Sequence, residues 1–113
     1  MDKNEDVEIE YWCNGNKRSE VHYNCNGKEE GLRTDWYESG AKKSECKYST
    51  GRITGIANTW YESGQMEFEI PFKIGARHGV EIKWSESGKI KSEDYYEEGS
   101  PKGKLPLNYT SKK

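Results

Sequence analysis

The sequence predicts an all-β protein, an elongated single-layer antiparallel β-meander of tandem 24-residue hairpin repeats. Three observations carry that prediction. Glycines recur on a 24-residue period: Gly40, Gly64 and Gly88; Gly51, Gly75 and Gly99; Gly55, Gly79 and Gly103. Aromatic residues keep the same period, with Trp36, Trp60 and Trp84 following Tyr11, and Tyr48, Phe72 and Tyr96 following Tyr23. So do Glu20, Glu45, Glu69 and Glu93, and Leu32, Ile56 and Val80 after Val7. An internal period of 20–50 residues marks a stacked array, because one such unit cannot bury its apolar face alone. The opening unit carries one extra residue near Asn24 to Asn26.

The tight turns come first. Glu38-Ser39-Gly40, Glu62-Ser63-Gly64 and Glu86-Ser87-Gly88 separate strand-like runs. A three-residue hairpin loop ends on a residue of positive φ, which glycine adopts without a Cβ penalty. That loop pairs Trp36 with Lys42, Thr34 with Ser44 and Leu32 with Cys46. One unit on, it sets Trp60 beside Met66, Asn58 beside Phe68 and Ile56 beside Ile70. A register shift of one would move these residues to the other face.

The wide turns carry Gly-x-x-x-Gly, read as five-residue loops such as Thr50 to Thr54. One face then holds Leu32, Trp36, Cys46 and Tyr48 with their repeats. The other holds Arg33, Asp35, Tyr37, Lys43, Glu45 and Lys47. About nine strands of ~5–7 residues result, and each repeat advances ~9.6 Å at ~4.8 Å per strand. Helix is unsupported, since no 3.6-residue stripe is present. Pro71 falls within an interior strand, where it cannot donate to the ladder, so a local break is expected there. The chain divides into a polar N-terminal tail (1–6), the array (7–103) and a terminal edge strand with its tail (104–113). Glu8 and Glu10 at the first edge, and Pro106 with Lys112 and Lys113 at the last, guard against edge-to-edge pairing. A monomer, or a dimer joined through the apolar face, is expected.

Composition narrows the function classes. Twenty acidic and 18 basic side chains leave a net charge of −2, without the basic excess that nucleic-acid binders carry. Only 31% of residues are hydrophobic, yet there are 4 Trp, 8 Tyr and 2 Phe, an aromatic content that argues against disorder. No apolar run approaches the length of a membrane span, and no signal peptide is evident. Cys13, Cys25 and Cys46 match no zinc pattern. Cys13 and Cys25 fall on opposite edges of the sheet, ~27 Å apart at 3.4 Å per residue, too far for a disulfide. Three free thiols suit a cytoplasmic setting. The Gly-x-x-x-Gly runs lack the Gly-Lys-Ser/Thr ending of a phosphate-binding loop. His22 and His78 stand with no nucleophile or carboxylate set that singles out a catalytic centre. No enzyme activity, metal or cofactor is expected.

The run Phe72-Lys73-Ile74-Gly75-Ala76-Arg77-His78-Gly79, followed by Trp84 and Gly88, resembles a MORN repeat. The 24-residue unit and its Trp-Tyr-Glu-Ser-Gly turn resemble the bacterial MORN-repeat variant more closely, over roughly Val7 to Gly103. The resemblance implies an elongated, twisted single-layer sheet acting as an interaction scaffold for an unidentified protein, with the chain itself of antitoxin or immunity type. The alternative it leaves open is a membrane-surface or phosphoinositide-headgroup binder, which would need a basic face. The candidate partner-binding residues are Trp36, Trp60, Trp84, Tyr48, Phe72 and Tyr96. The competing reading is that these aromatics supply the sheet's own core.

Overall fold

The computed structural model describes residues 6–112. Of the expected N-terminal tail, residues 1–5 lie outside that range, as does Lys113 of the proposed end guard, and Asp6 already belongs to the first strand. Ten antiparallel strands form one open sheet: β1 Asp6–Tyr11, β2 Lys17–Tyr23, β3 Gly31–Trp36, β4 Lys42–Ser49, β5 Arg52–Trp60, β6 Met66–Lys73, β7 Ala76–Arg77, β8 Gly79–Trp84, β9 Ile90–Glu97 and β10 Ser100–Lys102. Neighbours in sequence are neighbours in space, with the short β7 beside β6. The molecule measures 47 × 32 × 18 Å with a radius of gyration of 16.2 Å, against ~13 Å for a compact domain of this length. Val21, Ala57 and Ile82 are the buried apolar side chains among the described residues, as a sheet with no second layer requires.

The tight turns form as the glycine spacing predicts. Gly40, Gly64 and Gly88 have φ of 98°, 98° and 93°. Tyr37 N–H donates to Ala41 O at 2.8 Å, enclosing Glu38-Ser39-Gly40. Beyond the turn the register differs from the expected one. Trp36 faces Lys42, but Asp35 faces Ser44 and Arg33 faces Cys46. Trp60 faces Met66, but Thr59 faces Phe68 and Ala57 faces Ile70. The cause is a β-bulge, one extra residue on the second strand of each tight hairpin. The extra residue is Arg18 in the first, Lys43 in the second, Glu67 in the third and Lys91 in the fourth. It is itself periodic.

The wide turns also differ. Ser49 pairs Arg52, Lys73 pairs Ala76 and Glu97 pairs Ser100, so each loop has two residues, not five. Both turn residues take positive φ, as in Thr50 (49°) and Gly51 (82°), the type I′ pattern whose twist matches that of the strands. The extra residue of the opening unit makes its wide turn a three-residue loop, Cys25-Asn26-Gly27, closed by Asn24 N–H on Lys28 O at 2.8 Å. The expected break near Pro71 is present, since β6 pairs first β8 and then β7, with His78 N–H on Pro71 O. Proline is not its only cause. A register shift recurs between Glu45 and Lys47, with no proline, opposite the second wide-turn glycine, Gly55, whose φ is 74°. At the C-terminal edge, β10 ends at Lys102, and the segment 103–112 contains no strand. Pro101, not Pro106, is the proline of the edge strand.

Candidate partner-binding face

The bulges decide which residues share a face. On the front, one row runs unbroken across eight strands: Ile9, Glu20, Thr34, Glu45, Asn58, Glu69, Ile82, Glu93. Beside it, nearer the tight turns, Tyr11 faces Lys17, Trp36 faces Lys42, Trp60 faces Met66 and Trp84 faces Ile90. On the back, Tyr48 faces Ile53, Phe72 faces Gly55 and Tyr96 faces Gly79, with Cys46 opposite Arg33. The expected single aromatic face is therefore corrected. Trp36, Trp60 and Trp84 lie on the front, and Tyr48, Phe72 and Tyr96 lie on the back, because each bulge reverses the alternation of the second strand. Leu32 stays on the front, and Cys46 moves to the back.

Front-face chemistry changes along the array. The Lys17 ammonium lies 5.5 Å from the Trp36 ring centroid, and that of Lys42 lies 5.6 Å from the Trp60 ring, a cation–π geometry. The same lysines reach back to the carboxylate row, Lys17 to Glu20 at 2.8 Å and Lys42 to Glu45 at 3.3 Å. The hydrogen bond from Lys17 holds Glu20 below the ordinary carboxylate range, with His22 adding to it. One and two repeats later the lysine position holds Met66 and Ile90. Glu69 then makes no hydrogen bond or ion pair within the described residues. Glu93 instead receives the C-terminal tail. Tyr109 Oη–H donates to its Oε2 at 2.9 Å, Lys112 N–H to the same oxygen at 2.8 Å, and Ser111 Oγ–H to Oε1. The tail reaches the tight-turn edge, where Lys112 lines a recess with Trp84 and Ile90. Burial first, then the Glu93 carboxylate, pushes the Tyr109 phenol up to about 12, with Glu69 contributing. Tyr109 thus sits by the row Glu69–Ile82–Glu93, and Ile82 is 1% exposed.

Elsewhere the front is open. Every exposed large hydrophobic borne by a strand belongs to it: Val7, Ile9, Tyr11, Leu32 at 52% and Ile56 at 54%. On the back, Arg77 stacks on Tyr96 at 5.1 Å and Lys83 on Phe68 at 5.0 Å, and Arg33 pairs with Asp35 and Glu29.

Residues placed by the sequence on a plain polar face hold the repeats together. Trp12 Nε1–H donates to Trp36 O at 3.1 Å, Tyr37 Oη–H to Trp60 O at 2.7 Å and Tyr61 Oη–H to Trp84 O at 2.7 Å. The Trp-Tyr dipeptide, replaced by Trp84-Ser85 in the last tight hairpin, was the available signal. His22 contacts Glu20 at 3.1 Å, and His78 Nδ1 accepts Glu98 N–H at 3.3 Å. All three cysteines are free. No metal-binding group of three or more side chains occurs among the described residues, and none of them forms a helix long and apolar enough to cross a membrane.

No curated protein and no solved structure matches the chain. Residues 53–73 and 77–98 match the MORN repeat variant, each match framing one tight hairpin, β5–β6 and β8–β9. MORN repeats are in general protein- or membrane-binding units, not known as enzymes. Two of the tight hairpins are thus similar to the MORN repeat variant.

Proposed function

We propose that the protein is a protein-binding module whose partner lies along the front face, over Trp36, Trp60 and Trp84. The observation that carries this reading is the one-sided distribution of apolar surface. The exposed strand hydrophobics all lie on the front, and a single-layer sheet has no second layer to cover them. The aromatics of both faces are half-buried, Tyr48, Phe72 and Tyr96 as much as Trp36, Trp60 and Trp84, so it is the exposed Leu32 and Ile56 that set the front apart. The MORN-variant resemblance suggests a toxin as the partner, neutralised by an antitoxin- or immunity-type chain in a reducing compartment, which free thiols suit.

The test compares faces in a folded protein. Leu32→Glu and Ile56→Glu each place a charge on exposed front positions, and Lys43→Glu alters the back. Circular dichroism checks the fold while partner capture is measured. The front variants should lose the partner, and Lys43→Glu should keep it. Loss on Lys43→Glu alone would move the interface to the back. Flotation with anionic vesicles, without any captured protein, would replace this reading with the membrane-surface one. The paired front lysines and the net charge of −2 weigh against it.

A further inference from the structure

The C-terminal tail shows what the front face accepts. It runs over the β8–β9 hairpin from the wide-turn side toward the tight-turn edge. It gives a phenol, a hydroxyl and a main-chain N–H to one carboxylate, Glu93. The β5–β6 hairpin presents the same surface one repeat earlier. Asn58, Trp60, Met66 and Glu69 stand where Ile82, Trp84, Ile90 and Glu93 stand, in the same cross-strand pairs. Two differences set this hairpin apart. No segment among the described residues is hydrogen-bonded to Glu69, whereas Glu93 is occupied. The two earlier carboxylates are held by Lys17 and Lys42, but Met66 provides no cation for Glu69. Beside it, Ile56 is 54% exposed.

We propose that the β5–β6 front surface is a docking site for an extended segment of a partner with the chemistry of this chain's own tail. A tyrosine hydroxyl of that segment donates to Glu69, and its apolar residues lie on Ile56 and Trp60. The proposal rests on the front-face reading and specifies its anchor. A half-buried carboxylate without a donor forgoes a charge-assisted hydrogen bond, one of the stronger polar contacts a surface offers. Asn58 replaces Ile82 at the centre of the site, so it also offers an amide to the segment's main chain. The arriving segment would lie one repeat, ~9.6 Å, from the tail and parallel to the same strands.

The probe is a synthetic peptide of residues 105–112, titrated onto the full chain by calorimetry. Saturable binding is expected. Glu69→Gln should weaken it about ten-fold or more, the loss of one charge-assisted hydrogen bond, and the peptide carrying Tyr109→Phe should weaken it comparably. Met66→Lys is the second variant. It restores the lysine of the earlier repeats, keeps the carboxylate and should block the peptide while leaving the circular dichroism spectrum unchanged. Absence of peptide binding, or binding indifferent to both Glu69→Gln and Met66→Lys, overturns the proposal. A partner that is lost on Ile56→Glu but ignores Glu69→Gln would sink this anchor and leave the front-face reading standing.

Discussion

The hydroxyl of Tyr37 donates to the main-chain carbonyl of Trp60 at 2.7 Å, and Tyr61 repeats the bond to Trp84. These bonds tie the tight-turn edge of one repeat to the next, where the loops contribute no ladder of their own. Tyr37→Phe and Tyr61→Phe should each cost about 1 kcal/mol in urea denaturation, the net worth of one hydrogen bond. The two losses should add, because the sites lie about one repeat apart and share no partner. A double variant no less stable than either single one would show that the edge is held by something else.

Ile74 is a β-branched residue at φ 47°, in a conformation that such side chains rarely adopt. It occupies the first turn position before Gly75 and is 64% exposed, so little apolar burial holds it there. Ile74→Asn should stabilise the protein by about 1 kcal/mol, since Asn-Gly suits a type I′ turn. The thermal midpoint should rise by roughly 3–6 °C. A fall in the midpoint would mean that Ile74 packs against a neighbouring turn more than its exposure indicates.

Burial pushes the Cys46 thiol above its ordinary pKa, more than Arg33 lowers it. Cys13 and Cys25 are exposed. The thiolate is the reactive form, so iodoacetamide at mildly alkaline pH should label Cys13 and Cys25 quickly and Cys46 slowly. Peptide mapping over time reads this directly, and equal rates would contradict the placement of Cys46.

Tyr109 carries the largest tyrosine shift, up to about 12. The folded pKa lies above the unfolded one, so the folded state holds the proton more tightly. The tail's contribution is therefore complete below about pH 10 and is lost as pH rises toward 12. The tail should leave Glu93 in that window, exposing Ile82. Tyr23, Tyr37, Tyr48, Tyr61 and Tyr95 are also raised, so the readout is the difference between the wild type and Tyr109→Phe. A difference in phenolate absorbance that develops around pH 10, and not toward 12, would refute the assignment.

The architecture was legible because glycine spacing and turn chemistry are local. Gly40, Gly64 and Gly88 required positive φ, and the structure gives it. The faces were less legible. A bulge at Lys43 or Glu67 adds a residue without any glycine to announce it, and one uncounted residue reverses everything after it. Phe68 and Ile70 alternate equally well in either phase, so apolar pattern alone chose the wrong one. Thr50 and Ile74 at positive φ hid the type I′ turns, since neither residue type signals that conformation. The tail's return to Glu93 was beyond reach, because Tyr109 belongs to no repeat.

The opening unit has a three-residue wide turn where later units have two, and yet Glu20, Thr34 and Glu45 still stand abreast. A residue gained at that edge is absorbed there and never reaches the middle of the strands. Sequence drift can therefore lengthen or shorten the outer loops, where insertions are best tolerated, without moving any carboxylate out of line. A gain within a strand, such as a second bulge beside Lys43, would instead turn half of a hairpin inside out. The two kinds of change have opposite consequences for an evolving array. Edge insertions are near-neutral, while mid-strand insertions rewrite the entire surface shown to a partner.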